Sequence, residues 1–184
     1  FLDFGLFACA DEAPVNDKLN AITFSAQELA DHTLDPTLEG TITVQAGADI
    51  TSADSGFILL TGPKVVNAGH LVSPDGEVAL ASGRRITLTR SEGRSDSLDP
   101  NVRGFLVTTF ARTDIVGDYV DNSGLIEAER GYISLGATSN GAVLDGGVLH
   151  STTSVSRNGF VRLSGGDVQV GPGATISIEA DDGK

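Results

Sequence analysis

The chain has 184 residues and a mass of 18.9 kDa, with 12 Lys and Arg against 25 Asp and Glu, so its formal charge is −13. With 40% apolar residues and a mean hydropathy near zero it is too apolar for a disordered tail, and no apolar run reaches the length of a membrane-spanning helix. So acidic a surface repels phosphate backbones and anionic headgroups, which argues against nucleic acid as a partner.

Val, Ile and Thr together number 42 and Gly 23, whereas aromatics are 5% and Trp and Met are missing. This composition favours strands and turns over helices. Cys9 is the single cysteine, so neither an internal disulfide nor a Cys-based metal site is expected. The chain starts at Phe1 and contains no Met, and we read it as a segment of a longer product whose targeting signal would lie upstream.

Gly5 is the one glycine of the first 39 residues, and the character of the chain changes near residue 40. Residues 1–40 read as an edge or cap. Phe1, Leu2, Phe4, Leu6 and Phe7 form an apolar cluster, and Ser25 with Glu28 makes a capping box for a short helix over 26–31. Ile22, Thr23 and Phe24 also read as a strand, and the region of Pro36 as a loop.

From residue 41 to 184 the pattern is short β-prone runs separated by Gly, Asn and Asp. TITV at 41–44, FILL at 57–60, EVAL at 77–80, ITLT at 86–89, FLVTT at 105–109, YISL at 132–135, FVRL at 160–163, DVQV at 167–170 and ISIE at 176–179 are the clearest. Residues 66–80 and 121–135 align without a gap, matching Asn67 with Asn122, Gly69 with Gly124, Gly76 with Gly131 and Leu80 with Leu135. Residues 145–163 form a looser third copy around an insertion, and GFILL at 56–60 repeats the second half.

One such unit cannot bury its apolar side alone, but stacked copies can, joined by strand pairing about 4.8 Å from copy to copy. Twenty residues separate Leu60 from Leu80, too few for a crossover helix and suitable for one coil of a parallel β-helix. A sandwich of hairpins is the competing fold, but Asn-Gly, a strong hairpin-turn signal, occurs only at 140–141 and 158–159. The expected fold is therefore all-β, a parallel β-helix. Val78, Leu80, Ile133, Leu135, Val161 and Leu163 should point inward. Gly69, Gly76, Gly124, Gly131 and Gly159 should sit at corners, through positive φ or close backbone approach. Asn67 and Asn122 should bond the turns through their side-chain amides.

The strings GFILLTGPKVVNAGHLVSPDGEVALASGRRITLT at 56–89, VDNSGLIEAERGYISLGA at 120–137 and LHSTTSVSRNGFVRL at 149–163 resemble filamentous haemagglutinin-type exoproteins, large two-partner-secreted surface proteins of Gram-negative bacteria. The resemblance covers roughly residues 40–180. It implies a right-handed parallel β-helix, an outer-membrane secretion barrel as export partner, and adhesion to a glycan or protein on a host or neighbouring cell. The family's secretion module carries an Asn-Pro-Asn-Gly type motif, of which Ser73-Pro74-Asp75-Gly76 is a loose echo, so this segment is expected to follow that module.

Chemistry has few candidates. His32, His70 and His150 are the imidazoles, and His70 and His150 both follow repeat turns and could meet across coils at a metal, though no third ligand stands at a metal-site spacing. Asp114, Asp118 and Asp121 could gather around calcium, and Asp181 and Asp182 are adjacent, but neither set matches a calcium loop or a paired-carboxylate geometry. No Gly-x-Ser-x-Gly elbow occurs. The sequence therefore predicts no catalytic residues, no metal and no cofactor.

Residues 84–112 hold six of the nine arginines and carry +3. Their centre, 91–103, reads as a projecting loop. Arg84, Arg85, Arg94 and Arg103 are candidate contacts for carboxylates or sulfates of a glycan, against the alternative of a solvated insert paired with neighbouring coils. The expected function is a non-catalytic, adhesin-like structural segment, with a polysaccharide-degrading β-helix enzyme and an end-to-end self-associating filament subunit as alternatives.

Overall fold

The computed structural model describes residues 21–25, 40–90, 105–110, 116–154 and 158–181. Within them the chain is all-β, without a helix. The strands are β1 (Ala21–Ser25), β2 (Thr41–Val44), β3 (Asp49–Thr51), β4 (Phe57–Gly62), β5 (Lys64–Asn67), β6 (His70–Val72), β7 (Glu77–Ser82), β8 (Arg85–Arg90) and β9 (Phe105–Phe110). They continue with β10 (Tyr119–Asn122), β11 (Leu125–Ala128), β12 (Tyr132–Gly136), β13 (Ala142–Asp145), β14 (Val148–Thr153), β15 (Phe160–Ser164), β16 (Asp167–Val170) and β17 (Thr175–Ala180).

Fourteen of these strands belong to three parallel sheets, ordered β16-β13-β10-β5-β2, β17-β14-β11-β6-β3 and β15-β12-β7-β4. Leaving β1, β8 and β9 aside, the chain visits the three sheets in fixed rotation, and each pass lays one tier on the last. The repeats set the register: Asn67 lies opposite Asn122, Leu71 opposite Ile126, Val78 opposite Ile133 and Leu80 opposite Leu135. Leu60 pairs with Leu80, and Leu135 with Leu163 across the insertion of the third copy.

Each strand turns alternate residues to one side, so the aligned apolar positions of all three sheets converge. Val65, Leu71, Val78, Leu80, Val120, Ile126, Ile133, Leu135, Val143 and Leu149 are fully buried in one cluster, each contributing about 1.5 to 3 kcal/mol. Val161 and Leu163 pack against that cluster but are partly exposed, β15 being the edge of its sheet among the described strands.

The runs 86–89 and 105–109 depart from the coil pattern expected of them. They lie in β8 and β9, which pair antiparallel, with Ile86 opposite Thr109 and Leu88 opposite Val107, and β1 joins the other edge of β8. The strand alternative for residues 22–24 therefore holds. The physical reason is burial: Ile86 and Leu88, with Phe105 and Val107, cover Ala81, Phe57 and Leu59 on the outer side of the third sheet. Ala79, Ala81, Ser134 and Gly136 are small enough to admit this second layer, and every residue of β7 and β12 is buried. The Thr109 hydroxyl adds a 2.9 Å bond to the Ala137 carbonyl. The capping-box helix over 26–31, the apolar cluster at residues 1–7 and the loop at 91–103 lie outside the described residues.

The corner glycines act through close approach. A Cβ on Gly124 would sit 2.1 Å from the Gly69 carbonyl oxygen, which accepts the Leu125 N–H at 2.9 Å. Gly131 stands likewise over Gly76, at 2.2 Å. Positive φ falls one residue earlier, on Ser55, Asp75 and Arg130, each directly before a glycine of this corner. Gly69 abuts the Ala48 and Gln45 carbonyls, and Gly159 that of Thr152.

Candidate functional site

Inside the stack, polar side chains form a ladder. The Asn67 amide accepts from the Gly69 N–H at 3.2 Å and donates to Asn122 Oδ1 at 2.8 Å, and Asn122 Nδ2 donates to Asp145 Oδ1 at 2.9 Å. Asn67 thus bonds its own turn as expected, while Asn122 links the tiers above and below. All three residues are buried. Asp145 Oδ2 has no partner among the described residues, a costly state for a buried carboxylate oxygen. We predict that Asp145→Ala, which leaves the buried Asn122 amide without its acceptor, destabilises the fold by about 1 to 3 kcal/mol. A thermal midpoint equal to or above the parent's would contradict this.

The arginine stretch divides. Arg84 does not project. It is 8% exposed, and its guanidinium lies 3.7 Å from the carboxylate of Asp118, which leads into β10. Burial pushes the Asp118 carboxyl up, and Arg84 and Lys64 pull it back down. Arg84 therefore braces the return of the chain to the stack, which removes it from the outward contact set. Arg85 sits on β8 opposite Phe110 of β9. Arg94 and Arg103 lie outside the described residues.

The outer face of the antiparallel sheet is the best candidate surface. Along it, Arg85 stands opposite Phe110, Thr87 opposite Thr108 and Thr89 opposite Leu106. Leu106 is 39% and Phe110 47% exposed. An exposed aromatic ring can stack on the apolar face of a sugar, and Arg85 flanks Phe110 in register, half-buried and with its Nε shielded from solvent. Sequence reasoning found Arg85 and missed Phe110, although the alternation of FLVTTF already put Leu106 and Phe110 on the face opposite Val107.

The histidines do meet, through a carboxylate. His70 Nε2 is 2.6 Å from Glu127 Oε2, His150 Nδ1 is 3.4 Å from Glu127 Oε1, and His70 Nδ1 is 3.0 Å from Asp49 Oδ1. Among the described residues no group of three or more His, Cys, Asp or Glu is arranged to hold a metal ion. His32, Cys9, Asp114 and Asp182 are outside the described residues. Asp181 instead receives Arg130 Nη1, while Arg130 also donates to both Asp75 oxygens, at 2.6 and 2.9 Å. These bonds raise the Arg130 pKa further, so the clamp stays charged.

One carboxyl group has acid–base potential. Glu77 is 1% exposed, its pKa is pushed up to about 8 by burial, and Oε2 accepts the Phe105 N–H at 2.6 Å, which opposes that rise. A raised carboxyl in a cleft marks many active sites. Glu77, however, lies between the third sheet and β9 and lines neither of two open surface grooves formed by the described residues. Those two open grooves, of about 430 and 420 Å³, follow glycine corners: one holds Gly69, Gly124, Asp49 and His70, the other Gly117, Tyr119, Asn140 and Asp167.

Compared with known proteins, the chain matches no family model, and no curated protein is similar to it.

Proposed function

We propose that this chain is a right-handed parallel β-helix, a non-catalytic shaft segment of a secreted or surface-displayed adhesin-like protein of the filamentous haemagglutinin type. The observation that carries the reading is the register of Leu60, Leu80, Leu135 and Leu163 across four tiers, with three parallel sheets visited in rotation. Strand twist makes parallel crossovers right-handed in nearly all proteins, which gives the winding its hand. Such a shaft resists bending and carries loops and sheets on its flank. The antiparallel sheet then presents Phe110 and Arg85 to a glycan or protein on a neighbouring or host cell. Export through an outer-membrane barrel to the surface of a Gram-negative bacterium belongs to the same proposal.

A second reading is favoured by the ends of the stack. Val168, Val170, Ile176 and Ile178 occupy the inward columns of the last tier yet are 41% to 53% exposed, and the outer edges of β16 and β17 are unpaired among the described strands. End-to-end pairing of copies would cover them. One set of measurements separates the readings. Antibody against the Phe110 face should label intact cells of the source organism, the purified protein should stay monomeric in sedimentation, and polysaccharides should keep their length in its presence. Labelling only after permeabilisation would overturn surface display. Concentration-dependent fibres would favour the filament, and protein-dependent release of reducing ends would favour the enzyme.

A further inference from the structure

We infer that His70 is a pH-operated clasp that pins the terminal strand β3 to the body of the stack. Among the described strands β3 is the edge of its sheet and pairs with β6 alone, and its three residues are all exposed. It is therefore among the least supported strands. His70, on β6, reaches in both directions across its neighbours, to Asp49 on β3 and to Glu127 on β11.

The chemistry of those contacts fixes the state of the ring. An ionised carboxylate only accepts, so both ring nitrogens must donate, and only the imidazolium carries two N–H groups. Once the ring is neutral, one nitrogen turns a lone pair toward a carboxylate oxygen and that contact becomes repulsive. Asp49 from β3, Glu127 from β11 and, beyond Glu127, His150 from β14 are the titratable groups around the ring. The Glu127 bond raises the His70 pKa above the ordinary 6.5, with the Asp49 bond adding to it and burial opposing. The clasp is thus closed below pH 6.5 and released as pH climbs through the higher value of the folded state.

Release has a local consequence. The backbone bond from the Ser52 N–H to the Val72 carbonyl, 3.0 Å long, would open more often, and Leu71, covered by Ile50 in register, would lose its outer neighbour. The clasp depends on the packing of β3, β6 and β11 and not on the adhesive role, so each can fail without the other.

The test is an NMR titration of the whole protein between pH 5 and 9, following the His70 ring and the exchange protection of the Ser52 amide. His70 should titrate above 6.5, and in a Glu77→Gln background, which removes the Glu77 titration, protection at Ser52, corrected for intrinsic exchange, should fall severalfold over the same interval while that of Ile133 changes far less. Asp49→Asn and Glu127→Gln should each lower the His70 midpoint, and His70→Gln should remove the step at Ser52. A His70 midpoint at or below 6.5, constant protection at Ser52 across its titration, or a step that survives His70→Gln would overturn the inference.

Discussion

Leu135→Asp is expected to abolish the cooperative unfolding transition of the protein, or to shift its midpoint down by tens of degrees. Leu135 is fully buried in the third tier, with Leu80 and Leu163 in register on either side. The substitution removes about 2 to 3 kcal/mol of apolar burial. It also places a carboxylate inside the apolar cluster, at a further cost of several kcal/mol. Together these approach the whole stability of an ordinary domain, roughly 5 to 15 kcal/mol. Thr43→Asp provides the control, since Thr43 is an exposed residue of β2 and its replacement should change stability by no more than about 0.5 kcal/mol. Far-UV circular dichroism melts of the two variants and the parent decide the matter. If Leu135→Asp melts with the parent, Leu135 does not face a shared interior.

The same columns show why part of this fold is legible in sequence. Leu60, Leu80 and Leu135 are apolar, recur beside glycines that cannot carry a Cβ, and pair only with their own equivalents, so alignment of the repeats gives the register directly. ITLT and FLVTT carry the same two-residue alternation, yet bury it against the outer side of a sheet. Periodicity reports that one face of a strand is covered and leaves open by what. A length signal was available: Asn67 and Asn122 are 55 residues apart, whereas Asn122 and Asp145, also neighbours in register, are 23 apart. The excess marks an insertion between tiers, which is where β8 and β9 lie. Side-chain pairs between distant turns left no such trace. Arg84 looked like part of a basic loop because its partner Asp118 is 34 positions away, and Arg130 meets Asp75 and Asp181 only once the corners are stacked.

Glu77 leads to the second large effect, which depends on pH. In the unfolded chain its carboxyl titrates near 4.5, and in the folded protein near 8, because burial outweighs the bond from Phe105. Between these values the native state holds a proton that the unfolded state has lost, so stability falls as pH rises. The contribution is complete below pH 4.5, declines through the interval and is gone above pH 8. A rise from 4.5 to about 8 corresponds to about 5 kcal/mol. Glu77→Gln keeps an acceptor for the Phe105 N–H and cannot ionise, so its advantage over the parent should be near zero at pH 4.5 and grow to about that amount at pH 9. Denaturant titrations of both proteins at several pH values measure the difference directly, and subtraction removes the groups that they share. Because the bond to Glu77 joins β9 to the third sheet, parent amides of β8 and β9 should lose exchange protection at pH 9 before those of β10 and β11. The Phe110 face would then be held less firmly in alkaline surroundings than in acidic ones. A stability difference between parent and variant that does not vary from pH 5 to 9 would mean that Glu77 is ionised at neutral pH, with its charge met by a partner.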